Sequence, residues 1–486
     1  MHVKREREET ETLLWQEQVH SSSLEKTKRP FEFLHDVLEA RAGLVAYFPI
    51  IFVTVCLLCG ASWQIFLAKN DPARYQCYAL TFWFGSRAIN HLPADQCSFL
   101  LPLSGPQLPF HMLPIEYPPL TLLVFSLPLL APVPYYQLAF ALCMSLICVL
   151  IYWLLLKYGP RGAALIFALY AFVGGVATAT ERYDLVPAAL TLLAILAAER
   201  KHWTWAYIAL SIGTLIKLYP ILLLPAFFIA EQQSQGRMHL PTKSLTPATT
   251  ILHLWYTLRG LPQWRWKNAV IFFGIVLGTT GMFAMLNFEK AVVSQISYFI
   301  HRPIQVEATS STFLWIAHSF GVPLHIENTF GSLNIVSALD GPISSICTLL
   351  LVLGCLFIVW MQWRGKLDIT QTSIALLLVF IATGKVFSPQ YIIWLMPLLA
   401  YAGAFDTFWL LIWVALSGLT SFIQIFFYTR LIDSLLIPYT PGFFEAITLR
   451  NTLFVLVTLA YLFNWFQARQ RRSLPISAIS KEIRPL

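Results

Sequence analysis

The sequence contains carboxylates and cations that together suit the transfer of a chemical group to a hydroxyl. Carboxylates can take the proton from an attacking hydroxyl. Cations can bind a phosphate, arginine as a planar fork and lysine as a point charge. The candidate carboxylates are Asp71, Glu116, Asp184 and Glu307, and the candidate phosphate ligands are Lys217, Arg182, His301, Arg302 and Lys385. Polar side chains that can orient a substrate are Tyr117, Tyr219, Gln305 and Gln390.

Some of these residues also have an ordinary structural interpretation. Asp71 is followed by Pro72, as at a helix N-cap. Arg182 and Asp184 can pair with each other within a turn. Lys217, close to a helix end, can extend its amine to the membrane interface. The sequence leaves these alternatives open for each residue singly, and the grouping of the residues on one side of a membrane favours the chemical interpretation.

The composition indicates that lipid surrounds most of the chain. Of the 486 residues, 57% are hydrophobic and only 12% are charged, whereas a water-soluble protein has about 25% charged residues. This composition excludes a water-soluble enzyme, a disordered scaffold and a disulfide-rich secreted domain. The elements that position the candidate residues should therefore be transmembrane helices of about 20 apolar residues each.

Apolar segments predict an all-α polytopic bundle of about twelve helices. The segments are 44–67, 136–157, 162–179, 185–199, 203–217, 220–230, 268–287, 342–361, 371–384, 390–403, 407–427 and 450–466. Two of them, 220–230 and 371–384, are short for a straight span, as helices that are shielded inside a bundle can be.

Lysine and arginine positions give the orientation. With a cytoplasmic N-terminus and alternating sides, 23 of the 33 Lys and Arg residues fall on the inner side. This predicts cytoplasmic tails at 1–43 and 467–486 around a transmembrane domain at 44–466. The first tail lacks the pattern of a cleavable signal peptide, and its segment 31–40 can form an interfacial helix. The net charge of +8 then reflects topology, so we expect membrane lipids and no nucleic acid as partners.

The same topology places the candidate residues on the outer side of the cell membrane. That side carries a first outer loop at 68–134 and a second at 288–341, whereas a basic loop at 231–267 is cytoplasmic. The proline-rich segment 117–134 should dip into the outer interface and return, because counting it as a span would reverse the later loops. Polar clusters that meet at one membrane face predict a single aqueous cavity.

Motifs for nucleotide or metal chemistry are missing from the sequence. It has no GxxxxGK[ST] or GxGxxG loop, no HExxH, and no DxD in the outer loops, so no cofactor or metal is predicted, although a divalent cation stays open. Cys56 and Cys59 have CxxC spacing but lie in the first span, where packing is expected. Cys77 and Cys97 share the first outer loop and can form a disulfide in an oxidising compartment.

Five short motifs, taken in order, resemble those of a family of membrane enzymes. They are the acidic residue that opens the first outer loop (Asp71), Tyr-Pro-Pro (117–119), Lys-x-Tyr-Pro (217–220), RPIQVE (302–307) and FSPQY (387–391) followed by IIWLMP. The resemblance is to the GT-C superfamily of polytopic glycosyltransferases, and it extends over most of residues 60–400. The likeness is to glycosyltransferase family 87, the polyprenyl-phosphate-mannose-dependent mannosyltransferases of prokaryotic envelopes. EYPPLT (116–121) also resembles the DYPPLT of glucosyltransferases that use dolichyl-phosphate glucose.

The resemblance implies a GT-C bundle that moves a hexose, mannose above all, from a polyprenyl-phosphate donor to a glycolipid or glycan hydroxyl. The reaction would be an inverting displacement at the outer face. Asp71 carries over as the base, with Glu116 as an alternative base or an acceptor-positioning group. The five cations become ligands of the donor phosphate, and the substrate-positioning residues are Tyr117, Asp184, Tyr219, Gln305, Glu307 and Gln390. ERYD (181–184) replaces the family's Gly-Gln-x-Asn-like turn, which leaves sugar and acceptor open.

Two other functions stay open from the sequence. A transporter or flippase of lipid-linked saccharides has a similar number of spans, but it should carry ionisable residues near mid-span and pseudo-symmetric halves. Here most charges lie at span ends. A glycan ligase would release a lipid diphosphate, whereas the transferase releases a lipid monophosphate.

Overall fold

The computed structural model of the protein describes residues 43–62, 64–67, 70–93, 95–100, 107–176, 178–238, 255–257, 259–403, 407–428 and 434–463. The predicted tails, with the possible interfacial helix at 31–40, lie outside the described residues apart from Gly43. Part of the basic loop at 231–267 also lies outside them.

Helices make up most of the described chain. In order they are α1 (Phe48–Ala61), α2 (Asp71–Phe84), α3 (Thr121–Ser126), α4 (Tyr136–Tyr158), α5 (Ala163–Gly174), α6 (Leu185–Glu199), α7 (Trp203–Ile216), α8 (Leu224–Ser234), α9 (Lys267–Leu286), α10 (Ser294–His301), α11 (Thr309–Ser319), α12 (Asp340–Trp363), α13 (Ile369–Thr383), α14 (Tyr391–Tyr401), α15 (Thr407–Tyr428) and α16 (Phe443–Leu462). A helix lies in each of the twelve predicted apolar segments. The last one begins earlier than predicted, at Phe443 instead of residue 450.

Five of these helical stretches are long and apolar enough to cross a membrane, judged by length and composition. They are Val133–Tyr158, Lys267–Leu286, Asp340–Trp363, Thr407–Tyr428 and Phe443–Leu462. The other apolar helices have 10–17 residues, short of the roughly 20 that a straight span needs. The fold is that of a polytopic membrane protein, and the number of twelve spans and their orientation stay predictions.

Several short helices form the centre of the bundle, and two of the long helices lie at its margin. Helix α6 packs against α7 and α14, and α5 packs against α14 and α15. The central helices contribute fully buried side chains such as Phe167, Leu192, Leu210 and Leu377. By contrast, the most apolar windows of α9 and α12 are buried over only 11% and 6% of their residues, as expected of helices whose side chains face lipid.

A small sheet departs from the predicted all-α fold. Strands β1 (Ile304–Gln305), β2 (His325–Thr329) and β3 (Ser332–Val336) form an antiparallel sheet in the order β1-β3-β2. It lies in the second predicted outer loop and packs through Ile304 and Ile335 against a separate apolar cluster that includes the adjoining ends of α15 and α16. A two-residue turn is enough to join β2 and β3, and a hairpin this short has too few residues for a clear alternating pattern.

The first predicted outer loop is ordered by a cap and a disulfide. Asn70 caps α2 by accepting from the Ala73 amide at 2.9 Å, so Asp71 is the first helical residue and the N-cap interpretation of Asp71 is wrong. Cys77 of α2 is bonded to Cys97. Segment 117–134 forms the short helix α3 and 3-10 turns at Leu127–Leu130 and Val133–Tyr135, as its prolines favour.

Candidate functional site

A polar cavity of about 270 Å³ brings together residues that are far apart in the sequence. Its wall is formed by the start of α2, the turns before α6 and after α7, strands β1 and β3, and the segment that enters α14. The candidate residues that line it are Asp71, Glu116, Tyr117, Arg182, Lys217, Tyr219, Arg302, Gln305, Glu307 and Gln390. Ten of the thirteen candidates therefore converge at one place.

Asp71 enters the cavity from the first turn of α2. Its Oδ2 lies 2.8 Å from the Arg182 guanidinium, and its side chain keeps 21% of its surface exposed. The predicted pair of Arg182 with Asp184 is therefore replaced by a pair with Asp71. Burial opposes the charge on Arg182, but Asp71 and other nearby groups raise the pKa of Arg182 overall. Within the described residues Asp71 Oδ1 makes no ion pair, so it can face a substrate.

Glu181 is a second, buried carboxyl next to Asp71. Burial and the negative charge of Asp71 raise the pKa of Glu181 to about 8, with Arg182 opposing. The amide of Gln64, with its nitrogen turned toward this carboxyl, donates to Glu181 Oε1 at 2.7 Å. Glu181 therefore keeps its proton to a higher pH than an ordinary glutamate, and a carboxyl group with a raised pKa is suited to acid–base chemistry.

Lys217 is held by a buried carboxylate behind the cavity wall. Its Nζ donates to Asp184 Oδ1 at 2.5 Å, and the same oxygen accepts from Trp394 Nε1 at 2.6 Å. Asp184 itself does not line the cavity and is 1% exposed. Lys217 therefore does not simply reach out to the interface, and Asp184 positions it.

Arg302 stands out among the cations of the wall because it has no carboxylate partner within the described residues. Its guanidinium donates to Ser332 Oγ at 2.9 Å and lies 5.2 Å from the ring centre of Tyr298. Two buried polar atoms of the cavity wall, Arg302 Nε and Gln305 Oε1, have no hydrogen-bond partner among the described residues. Unsatisfied buried polar atoms are rare and call for a ligand or an ordered water.

Glu116 is engaged by Arg74 through both oxygens. Arg74 Nη2 donates to Oε1 at 2.6 Å and to Oε2 at 2.8 Å. Gly331, at the tip of the β2–β3 hairpin, lies against this pair, since a Cβ at that position would be 2.9 Å from both Arg74 Nη1 and Glu116 Oε1. The Asp71 carboxylate has one oxygen outside any ion pair of the described residues, so it is better placed than Glu116 to accept a proton.

Glu307 is fixed by the last helix. Arg450 of α16 donates to Glu307 Oε2 at 2.9 Å, and Tyr428 donates to Oε1 at 2.8 Å. The side chains of Arg450 and Glu307 are 0% and 2% exposed. This pair joins the RPIQVE segment to α16, so Glu307 holds the wall of the cavity through two partners.

We expect Arg450→Met to lower the free energy of unfolding by about 3–5 kcal/mol, because it leaves Glu307 buried without a counter-ion. Thermal unfolding of the detergent-purified protein measures this as a lower melting temperature. The double variant Glu307→Gln, Arg450→Met removes both charges and should recover part of the loss. An unchanged melting temperature for the single variant would contradict the structural role of the pair.

Three predicted residues do not line the cavity, namely Asp184, described above, His301 and Lys385. His301 is exposed at the end of α10, with Nδ1 3.1 Å from the Ser297 carbonyl oxygen, and it does not line the cavity. Lys385 donates to the carbonyl oxygen of Ile300 at 3.2 Å and lies outside the cavity wall. Gln390 does line the cavity, where its Oε1 accepts from Ser388 at 2.5 Å.

The structure adds residues that the sequence interpretation missed. Tyr183, Tyr298 and Trp394 contribute an aromatic wall to the cavity, and Trp394 stacks on Tyr219 with ring centres 4.2 Å apart. Trp394 lies in the IIWLMP motif, so this motif could have identified it as a residue of the cavity wall. Arg450, a lone arginine in an apolar helix, is also a position where a buried partner is expected.

An apolar groove of about 410 Å³ adjoins the polar cavity and shares Pro118, Leu218 and Gln295 with it. Val276 of α9 and Ile296 of α10 line the rest of its wall together with other apolar residues. Since α9 is the sparsely buried helix described above, an apolar chain could lie here while its polar end reaches the cavity.

Two further findings concern metal binding and the similarity of the chain to known proteins. Among the described residues no three His, Cys, Asp or Glu side chains are grouped as metal ligands would be. None of the curated proteins matches the chain. Residues 116–238 match the model of Glycosyltransferase family 87, and this stretch includes Glu116, Arg182 and Lys217 of the cavity wall. The match confirms the predicted resemblance to glycosyltransferase family 87 and indicates that the protein is a membrane glycosyltransferase.

Proposed function

We propose that the protein transfers a hexose, mannose in the first instance, from a polyprenyl-phosphate donor to a hydroxyl of a glycolipid or glycan at the outer membrane face. The observation that carries this proposal is the convergence of three features at one cavity. They are a carboxylate with an oxygen outside any ion pair in the described chain (Asp71), an arginine without a carboxylate partner there (Arg302), and an adjoining apolar groove.

The chemical step is an inverting displacement at the anomeric carbon of the sugar. The acceptor oxygen forms the new bond to that carbon as Asp71 takes its proton. The bond from the anomeric carbon to the donor phosphate oxygen breaks at the same time. The electron pair leaves with the polyprenyl phosphate, whose growing negative charge fixed cations stabilise.

Charge balance supports Arg302 as the main phosphate ligand. The carboxylates Asp71, Glu116, Asp184 and Glu307 are each paired with one cation, namely Arg182, Arg74, Lys217 and Arg450. Among the described residues Arg302 is the cation of the wall without a carboxylate partner, so a phosphate ester would supply a counter-ion. Lys217 and Arg182 line the same cavity and can add hydrogen bonds to the phosphate. With cations of the protein in this role, we propose that the reaction needs no metal.

The apolar groove suits the lipid part of the donor. It meets the polar cavity at Pro118, Leu218 and Gln295, so a chain bound in the groove would present its phosphate to the cavity. Burial of each methylene group of a prenyl chain favours binding by about 0.8 kcal/mol. The proposal includes cytoplasmic termini and an outward-facing cavity, as the distribution of lysine and arginine predicts.

A donor panel tests the proposal. Purified protein in liposomes receives an envelope glycolipid fraction with either a polyprenyl-phosphate mannose, glucose or galactose, or the corresponding nucleotide sugar. Mass analysis should find a hexose added to the acceptor from polyprenyl-phosphate mannose and none from the nucleotide sugars. Transfer from nucleotide sugars alone would overturn the proposed donor class.

A further inference from the structure

A third space adjoins the polar cavity at Glu116 and Tyr298. This side pocket has a volume of about 310 Å³ and is lined by Tyr78, Phe99, Glu116, Glu289, Tyr298 and Phe330, among others. Glu116 and Tyr298 also line the polar cavity. The two spaces therefore share a wall, and a molecule in the side pocket would lie next to the proposed site of transfer.

The tip of the β2–β3 hairpin forms one wall of the side pocket in a strained conformation. Phe330 has φ +52° and Gly331 has φ +67°, the combination that a type I′ turn requires and that Asn-Gly normally supplies. Left-handed backbone is unusual for a bulky residue, and strain of this kind clusters at functional sites. The turn is held by Tyr298, whose hydroxyl donates to the Phe330 carbonyl oxygen at 2.8 Å.

Aromatic rings and polar groups together define the chemistry of the side pocket. The Tyr78 and Phe99 ring centres are 5.3 Å apart, and those of Tyr298 and Phe330 are 5.4 Å apart, both pairs edge to face. Two carboxylates and the hydroxyls of Ser294 and Ser297 also line the wall. Within the described residues no lysine or arginine lines the pocket. Arg74 lies over Phe99 at 4.8 Å and is neutralised by Glu116.

This combination suits a neutral saccharide. Ring faces pack against the apolar C–H faces of a sugar, and carboxylates accept hydrogen bonds from its hydroxyls. A phosphate would meet the Glu289 carboxylate, and no lysine or arginine of the described lining would offset the repulsion, since Arg74 is already paired with Glu116. The side pocket thus differs from the polar cavity, where Arg302 has no carboxylate partner in the described chain.

We propose that the side pocket binds the neutral terminal saccharide of the acceptor and that Phe330 is a ring against which this sugar packs. The inference rests on the proposed function in one respect, since it assigns the bound sugar the role of acceptor. Glu116, in the shared wall, would orient the acceptor hydroxyl toward Asp71. Donor and acceptor would then approach the transfer site from two separate openings, the apolar groove and the side pocket.

Phe330→Asn tests the site with a change that suits the backbone. Asparagine tolerates positive φ and precedes glycine in type I′ turns, so the variant should unfold at the same temperature as the wild type or higher. Saturation-transfer NMR of the detergent-purified protein with methyl α-mannoside, methyl α-glucoside and methyl α-galactoside measures binding directly. At least one glycoside should bind the wild type, and Phe330→Asn should weaken that binding about tenfold through the lost ring contact.

Phe320→Asn is the matched control, because Phe320 is 86% exposed and lines none of the three spaces. It should bind the glycoside like the wild type. Equal binding by Phe330→Asn and wild type, or no glycoside binding by the wild type, would overturn the proposal. The readout does not depend on sugar transfer, so a failure of the proposed function shows up separately in the donor panel.

Discussion

Asp71→Asn should lower the rate of sugar transfer by about 10²- to 10⁴-fold, the range expected when a general base is lost. Asparagine still offers an oxygen to Arg182, whose guanidinium lies 2.8 Å from Asp71, so the fold should be kept. Initial rates with saturating polyprenyl-phosphate mannose measure the effect. The donor KM should change much less, because Asp71 acts on the acceptor proton.

Two further variants show whether the loss is specific to Asp71. Asp95→Asn changes an exposed carboxylate of the same predicted outer loop that does not line the polar cavity, and its rate should match the wild type. Glu116→Gln should cost less than Asp71→Asn, because both oxygens of Glu116 are already engaged by Arg74. A larger loss for Glu116→Gln would transfer the role of base to Glu116.

Arg302→Met should reduce kcat/KM for the donor by about 10²- to 10³-fold, the usual cost of removing a fixed group that stabilises developing negative charge. Because Arg302 forms no ion pair with the described residues, its loss leaves no buried carboxylate unpaired. The melting temperature should therefore fall little. Initial rates over a range of polyprenyl-phosphate mannose concentrations give kcat/KM, and thermal unfolding gives the melting temperature.

Arg302→Lys should restore part of the activity, since lysine keeps the charge and loses only the planar fork. Arg87→Met removes an exposed arginine of the first predicted outer loop that does not line the polar cavity, and it serves as the control. An Arg302→Met protein with wild-type donor kinetics would show that the phosphate is bound elsewhere.

The helices and the grouping of the site residues could be predicted from the sequence because both depend on local signals. Apolar runs mark the helices, and the placement of polar clusters at their ends anticipated a common cavity. Asp71, Lys217 and Arg302 lie more than eighty residues apart in sequence and still line one space. A residue at the end of an apolar run can be assigned to a helix end, and so to one face of the membrane, from the local sequence alone.

The pairing of charges could not be predicted, because it depends on which helices are neighbours. Arg182 is two residues from Asp184 but pairs with Asp71, and Asp184 pairs with Lys217 instead. Glu307 meets Arg450, which is 143 residues away. These choices decide which groups are available to a substrate, so the sequence alone did not distinguish Arg302 from the other cations.

The small sheet was missed for a different reason. Asn-Gly between two strands would predict a hairpin, but the β2–β3 turn has Phe-Gly. The sequence signal for the turn is therefore weak at the position where the backbone is strained. Phe330 thus departs from the usual turn chemistry next to a pocket, which is where such departures are expected to serve function.

The most direct test is the identity of the lipid released in a reaction whose only sugar source is polyprenyl-phosphate mannose. Mass spectrometry of the reconstituted, wild-type reaction should find one polyprenyl monophosphate for each hexose joined covalently to the acceptor. Saccharide that crosses the membrane of sealed vesicles without any covalent product would contradict a transferase and favour a flippase.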